Sequence, residues 1–275
     1  MCTLSWFAKQ DGYELFFNRD EQRTRAAALP LQIHQLANDV KLIAPIDPVG
    51  KGTWLAVNNK GLSVGLLNYY QGCQHALGER TFDPREERNF LSRGQVVLDL
   101  AKWGTALEAC EYLRGLGPHK LRQYRPFSIL LLDPDAACVP PTTLRWTGRE
   151  LISLELSSLI ISSGVQLERV IHSRSDCFER FCEHPEYSAK DVSKARSSHF
   201  EYHRSHEPTQ SALSVCMHRE DAKTVSFTHI NVSHQKATMT YHAGSPCNAN
   251  APVYSRSLRL DDSDALITQT STPIR

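Results

Sequence analysis

Cys2 follows the initiator methionine directly, and this position could make its thiol a nucleophile. Once Met1 is removed, one residue carries both a thiol and a free α-amine. The thiolate can attack a carbonyl, and the amine, whose reference pKa is about 7.7–8.0, can take up and return the proton near neutral pH. A cysteine here can equally be a small buried apolar residue, so its polar neighbours decide between the two interpretations.

The segment "NRDE", residues 18–21, supplies such neighbours at the end of the apolar run "YELFF". Asn18, Arg19, Asp20 and Glu21 bring an amide, a cation and two carboxylates to a place where a half-buried strand usually has few charges. Because side chains alternate along a strand, Asn18 and Asp20 share one face, and Arg19 and Glu21 share the other. At most one pair points at Cys2, and the sequence leaves open which pair that is.

Two predicted β-hairpins position these residues. "CTLSWFA" and "YELFFNR" flank the turn "KQDG", and "TWLAV" and "LSVGLLNYY" flank "NNKG". Asn68 ends the apolar run of the second hairpin, where its amide could donate to a developing oxyanion. The apolar residues of both hairpins are consecutive and do not alternate, which indicates strands that are covered on both faces.

The remaining periodicity predicts an α+β layered single domain over residues 1–275. Helical spacing covers 88–103 and 105–116, with Thr105 as N-cap, and two further helical stretches lie at about 173–183 and 189–204. Short apolar runs predict the other strands, at 126–133, 143–148, 150–156, 158–164, 212–217, 224–232 and 236–242. The polar range 255–275 is predicted to be a loose tail.

Charge and cysteine content bear on the class of protein. Thirty-one basic and 30 acidic residues give a formal net charge of +1, so we expect no nucleic-acid partner. No apolar run approaches the ~18 residues of a membrane span. The eight cysteines include no CxxC pair, so we expect reduced thiols in a cytoplasmic protein and no metal site. His199 and His203, at i and i+4, share a helix face and could form a metal or heme ligand pair, but without a motif such as HExxH we interpret them as solvated residues of a polar helix.

Several motifs together resemble one family. "MC" at the start, "NRDE" at 18–21, "GTWLAVNNKG" with "LLNYY" at 52–70, "SRG" at 92–94 and "PFSILLLD" at 126–133 occur in the order typical of the NRDE family, also called the transport and Golgi organisation 2 family. The resemblance implies an N-terminal-nucleophile hydrolase-like fold, in which two antiparallel sheets are stacked between helical layers as a four-layer αββα sandwich.

The resemblance also implies a site. In the related choloylglycine hydrolases and penicillin acylases the N-terminal cysteine is the nucleophile, an Arg and an Asp on the second strand support it, and an Asn helps to form the oxyanion hole. Cys2, Arg19, Asp20 and Asn68 occupy the matching positions. Two features depart from those relatives. Arg and Asp are adjacent here and not three apart, and a second Asn is replaced by Ser162 or Ser163 of "ISSG".

Two functions follow from these observations. The first is a cytosolic carrier that handles and traffics heme or a lipid or acyl metabolite, with heme as a possible cargo and no cofactor required. The alternative is a Cys2-dependent amidohydrolase or acyltransferase that cleaves a small amide or a thioester, in which Asn18, Glu21 and Ser163 support the catalytic residues.

Overall fold

The computed structural model describes residues 1–36, 39–71, 90–183 and 191–260. These residues form thirteen strands: β1 (Cys2–Lys9), β2 (Gly12–Gln22), β3 (Gln32–Gln35), β4 (Lys41–Ala44), β5 (Leu55–Asn58), β6 (Ser63–Asn68), β7 (Phe127–Leu132), β8 (Thr142–Trp146), β9 (Leu151–Ser153), β10 (Leu159–Ser162), β11 (Ala222–Ser233), β12 (Lys236–His242) and β13 (Val253–Arg259). The helices are α1 (Gly94–Leu100), α2 (Ala106–Gly115), α3 (Gly117–Leu121), α4 (Leu167–Phe178), which continues into a π-helical turn (Glu179–Glu183), and α5 (Val192–Arg204).

The strands form two antiparallel sheets. The six-stranded sheet has the order β10-β1-β2-β11-β12-β13, and the seven-stranded sheet has the order β3-β4-β5-β6-β7-β8-β9. Both predicted hairpins are confirmed as β1–β2 and β5–β6. Gly12 starts β2 with φ +146°, and a Cβ there would lie 2.2 Å from the Val232 carbonyl oxygen, so this turn requires glycine.

Apolar side chains fill the spaces between the layers. One core lies between the two sheets, where Leu4 and Phe17 of the first sheet belong to the same buried cluster as Leu55 and Leu130 of the second. A second core packs α1 and α2 against the outer face of the seven-stranded sheet. Helices α4 and α5 cover β1, β2 and β10. This arrangement is the four-layer αββα sandwich that the sequence predicts, and it explains why all but the last two residues of β2 are buried.

The layer between the six-stranded sheet and α5 is polar, and this overturns one expectation. His199 and His203 are buried, 4% and 0% exposed, and are not solvated. Ser5 Oγ lies 2.8 Å from Nδ1 of His199 and 2.8 Å from Nε2 of His203. Burial lowers the pKa of His199 to about 3, so the ring is neutral at pH 7.

Two predictions of local structure are wrong. Residues 212–216 form bends, and none of 212–217 lies in a strand. Here β11 pairs directly with β2, and side chains bind the carbonyls of the segment: Arg174 donates to Ala212 O, and Asn18 donates to Val215 O. The tail predicted over 255–275 is not loose at its start, since β13 pairs with β12 up to Arg259. The polar sequence of β13 is that of an exposed edge strand, and residues 261–275 lie outside the described residues.

The helix predictions hold with shifted ends. Thr105 caps α2 through a capping box with Glu108, as its position predicts. The first predicted helix is shorter, Gly94–Leu100, and α4 begins earlier than predicted, at Leu167. Among the described residues, every helix is too short or too polar to cross a membrane.

Candidate functional site

An open cleft of about 950 Å³ lies where β1 begins and β2 and β6 end. Of the residues that the sequence nominates, Cys2, Arg19, Asp20, Glu21 and Asn68 line it. The other lining residues are Arg25, Asp47, Val49, Gly50, Gly52, Thr53, Trp54, Leu66, Phe90, Leu91, Ser92, Arg93, Gly94 and Arg125. The structure therefore brings most of the predicted site together.

Within the "NRDE" segment, Arg19 lies directly opposite Cys2 and on the same face of the sheet. The two residues are direct register partners in the β1–β2 pair. The Arg19 guanidinium lies 4.3 Å from the ring centroid of Trp54, and its Nη2 lies 3.4 Å from Glu21 Oε2 and 3.8 Å from Asp47 Oδ2. Arg19 and Glu21 thus form the pair that faces the cleft, which answers the question that strand alternation leaves open.

Asp20 is buried on the opposite face of β2. Its carboxylate accepts from both terminal nitrogens of Arg174 at 3.2 Å and from Thr224 Oγ1 at 2.6 Å. Both partners of the Asp20–Arg174 pair are 0% exposed. Asn18 shares this face and donates to the main-chain carbonyls of His203 and Val215. The two residues hold the sheet against the helical layer, and their side chains do not approach the Cys2 thiol from the cleft.

Asn68 belongs to a chain of hydrogen bonds at the amino terminus. Its Nδ2 donates to the Tyr70 hydroxyl at 3.1 Å, and the Met1 α-amine donates to the same hydroxyl at 3.3 Å and to the Asp20 carbonyl at 3.4 Å. Burial raises the pKa of Tyr70, so the phenol is neutral. Tyr70 was missed by the sequence reasoning, although "NYY" placed it two residues after Asn68.

The two serines proposed in place of a second Asn have different surroundings. Ser163 Oγ lies 2.8 Å from Met1 Sδ and donates to Val165 O at 2.5 Å, so its hydroxyl is engaged in its own turn. Ser162 is the register partner of Cys2 in the β1–β10 pair, and its buried Oγ has no hydrogen-bond partner among the described residues. Ser162 is therefore nearer in register to Cys2 than Ser163, the residue that sequence reasoning preferred.

The environment of Cys2 keeps its thiol neutral in the chain that carries Met1. The residue is 9% exposed. Burial raises the pKa of the Cys2 thiol, and the positive amino terminus offsets this only in part. The position of Cys2 beside Arg19 is therefore not sufficient to make its thiol reactive.

Further cations and a glycine contact complete the cleft. Arg25 forms a hydrogen-bonded ion pair with Asp47, and the Arg125 guanidinium lies 5.3 Å from the ring centroid of Phe90. A Cβ on Gly52 would lie 2.4 Å from the carbonyl carbon of Gly94, so the two glycines let α1 begin directly against the cleft. Spacing alone gave no signal for Arg25, Asp47 or Arg125, because each reaches the cleft from a loop.

A comparison of sequences decides the family. The model of the transport and Golgi organisation 2 family matches residues 1–242. The chain belongs to this family. No curated protein matches the chain.

Solved structures that are similar to this chain include the following three proteins. The C2A mutant of conjugated bile acid hydrolase from Clostridium perfringens is 13% identical, with 92% of each chain covered and a TM-score of 0.48. An N-acylethanolamine-hydrolyzing acid amidase orthologue from Caenorhabditis elegans is 8% identical, with 91% of this chain and 95% of that chain covered and a TM-score of 0.46. Anbu, an ancestral β-subunit from Yersinia bercovieri, is 10% identical, with 92% and 85% covered and a TM-score of 0.37.

Proposed function

We propose that the cleft binds an acyl compound with an anionic group and that the protein carries it. The observation that supports this most directly is the presence of four arginines around one open cleft: Arg19, Arg25, Arg93 and Arg125. Guanidinium groups bind carboxylates and phosphates through planar, paired hydrogen bonds. Lipid or acyl handling is also one of the roles that the family resemblance implies.

The charge balance of the cleft favours an anionic ligand. Glu21 and Asp47 are the lining carboxylates that share the cleft with the arginines, because the Asp20 carboxylate is held by Arg174 on the other face of β2. Burial opposes ionisation of Asp47, but the hydrogen bond from Arg25 lowers the pKa of Asp47 below its ordinary value. Four guanidinium groups thus share the cleft with two carboxylates, and the excess positive charge attracts an anion.

The apolar residues of the cleft suit an acyl chain. Val49, Trp54, Leu66, Phe90 and Leu91 lie among the charged lining residues. The volume of about 950 Å³ falls in the range of roughly 300–1,000 Å³ that small-molecule sites occupy. A ligand with one charged end and one apolar portion would contact both sets of residues.

An acyl compound fits this cleft better than heme. Heme iron in proteins is held by a side chain such as His, Cys, Met or Tyr. The described lining residues include no histidine, and Cys2 is the one thiol among them. Because burial raises the pKa of that thiol, an iron-binding thiolate is disfavoured there.

Binding of a medium-chain acyl-coenzyme A, followed by quenching of tryptophan fluorescence, tests the proposal. Trp54 lies beside Arg19 in the cleft and should report the ligand. Arg125→Gln should weaken binding by about tenfold, since losing one charge-assisted hydrogen bond costs about 1.5 kcal/mol. Arg122→Gln, an exposed arginine of the same segment that does not line the cleft, should leave the affinity unchanged.

Two results would refute the proposal. One is equal affinity for the acyl thioester and for an uncharged alcohol of the same chain length. The other is saturable one-to-one binding of heme with a shifted Soret band, together with no binding of the acyl compound. Loss of that heme signal in Cys2→Ala would then identify the thiol as the ligand of the iron.

Turnover at Cys2 is the second candidate function, and the contacts of the amino terminus favour it. The Met1 α-amine, one residue from the Cys2 nitrogen, donates to Tyr70, whose hydroxyl also accepts from Asn68. In a chain without Met1, the α-amine of Cys2 would take the thiol proton while sulfur attacks the carbonyl of an amide or thioester. The leaving amine or thiol would receive that proton, and water would release the acyl group from sulfur.

This second function is tested by the intact mass of the protein from its native cell and by product formation from the same acyl thioester. Loss of Met1 and a rate that Cys2→Ala abolishes would establish turnover. Ligand binding that persists in Cys2→Ala, with no product from either protein, would leave carriage as the function.

A further inference from the structure

A group of four metal-binding side chains lies outside the cleft. His206, Cys216, His218 and Cys247 each offer one ligand atom, and these four atoms all lie within 4.8 Å of one another. His206 follows α5, Cys216 and His218 precede β11, and Cys247 belongs to the loop between β12 and β13. The sequence spacing is not that of a zinc knuckle, so the sequence predicts no metal site here. We infer that these four residues bind a divalent cation of the zinc type in a tetrahedral site.

The distances within this His₂Cys₂ cluster match tetrahedral coordination. Nε2 of His218 lies 3.5 Å from Cys216 Sγ and 3.4 Å from Cys247 Sγ. In a zinc site with Zn–S of about 2.3 Å and Zn–N of about 2.0–2.1 Å, tetrahedral angles place sulfur and nitrogen about 3.5 Å apart. A neutral Nε2 carries either one proton or one lone pair, so it cannot hydrogen-bond both sulfurs in the same way. One cation bound to all three atoms satisfies them together.

His206 supplies an independent observation. Its Nε2 is buried and has no hydrogen-bond partner among the described residues. Its Nδ1 lies 3.4 Å from the Gln210 amide, and its ring centroid is 5.0 Å from that of His218. Histidines that bind a metal through one nitrogen commonly have the other held by a hydrogen-bond partner. A cation in the cluster would give the buried nitrogen the partner that the protein does not.

Hydrogen bonds within the protein position the segments that carry Cys216 and Cys247. Cys216 N donates to Ser205 O at 2.9 Å, and Ser245 Oγ donates to Thr224 O at 2.6 Å. Four protein ligands leave no open position on a tetrahedral ion, and closed sites of this kind are structural. The cation would join the segment before β11 to the β12–β13 loop. Thr224, which accepts from Ser245 through its carbonyl, also donates through its hydroxyl to Asp20.

The metal content of the full-length protein, purified without an affinity tag or chelator, tests the inference. We expect about one zinc per chain by mass spectrometry. Cys216→Ser combined with Cys247→Ser should lower zinc affinity by at least the ~10–100-fold that loss of outer-shell partners produces. The matched control is Cys138→Ser combined with Cys182→Ser, which also removes two thiols and should retain the wild-type content.

Cobalt titration of the wild-type chain gives a second measurement that does not depend on the folding of a variant. Saturable one-to-one binding should produce intense visible bands and a thiolate-to-cobalt charge-transfer band, both typical of tetrahedral sites with sulfur ligands. A weak octahedral cobalt spectrum would overturn the inference, as would equal zinc content in the two double variants. A non-reduced mass lighter by two hydrogens, with Cys216 linked to Cys247, would show a disulfide in place of the metal.

Discussion

The buried ion pair of Asp20 and Arg174 makes the sharpest stability prediction. Arg174 donates to Thr3 Oγ1, to Asp20 Oδ2 from both terminal nitrogens and to Ala212 O. In Arg174→Met all of these bonds are lost, and the Asp20 carboxylate keeps only the bond from Thr224 Oγ1 that the structure describes. Removing one partner of a buried pair leaves an uncompensated charge, which costs about 3–5 kcal/mol. We expect the free energy of unfolding to fall by about that amount.

Urea unfolding followed by tryptophan fluorescence measures this loss. Arg180→Met is the matched control, because Arg180 pairs with Glu207 where both side chains are more than half exposed, and such pairs contribute about 0–1 kcal/mol. The double variant Asp20→Asn with Arg174→Met should lose less unfolding free energy than Arg174→Met alone, since it no longer buries the unpaired Asp20 carboxylate. A loss below about 1 kcal/mol for Arg174→Met, or a double variant less stable than the single one, would refute the reasoning.

Two other perturbations test the packing and the polar layer. Gly52→Ala should destabilise the protein by about 1–3 kcal/mol, because the new Cβ would lie 2.4 Å from the Gly94 main chain. The control Gly115→Ala places its Cβ where nothing lies within 4 Å, so it should be neutral or stabilising in thermal melts. Equal losses of stability in the two variants would contradict this reasoning. Since burial lowers the pKa of His199 from 6.5 to about 3, the folded state binds fewer protons than the unfolded state between these pH values, and unfolding free energy should fall as pH falls, by up to about 1.4 kcal/mol per pH unit. His199→Gln should flatten the profile measured by urea unfolding, and an unchanged slope would show that other groups control it.

How much of this structure the sequence predicts depends on how far apart in the chain the interacting residues are. The two hairpins are encoded by local apolar runs and turn residues, so β1–β2 and β5–β6 are predicted correctly. Alternation also pairs Arg19 with Glu21, but β2 is buried on both faces and its pattern does not reveal which face meets Cys2. The partner of Asp20, Arg174, lies 154 residues away and can be found only in three dimensions.

Polar interiors are the other reason that sequence reasoning fails here. His199 and His203 have the pattern of a solvated helix, yet they face a layer in which Ser5 supplies a buried hydroxyl between them. The same layer contains Glu14, which bonds to His229 and pairs with Arg196. Hydropathy assigns such residues to the surface, because it does not register that buried polar groups can satisfy one another.

Arg19 and Asp20 are adjacent in β2, and this has a structural consequence for the site. Neighbouring residues of a strand point to opposite faces, so the cation contacts the cleft while the carboxylate binds Arg174 under the helical layer. Changes at Arg19 should therefore alter ligand binding, and changes at Asp20 should alter stability. The Thr224 hydroxyl donates to Asp20, and Thr224 belongs to β11, which follows Cys216 and His218 of the His₂Cys₂ cluster. A cation in that cluster would therefore stabilise β2, the strand that presents Arg19, without contacting the ligand in the cleft.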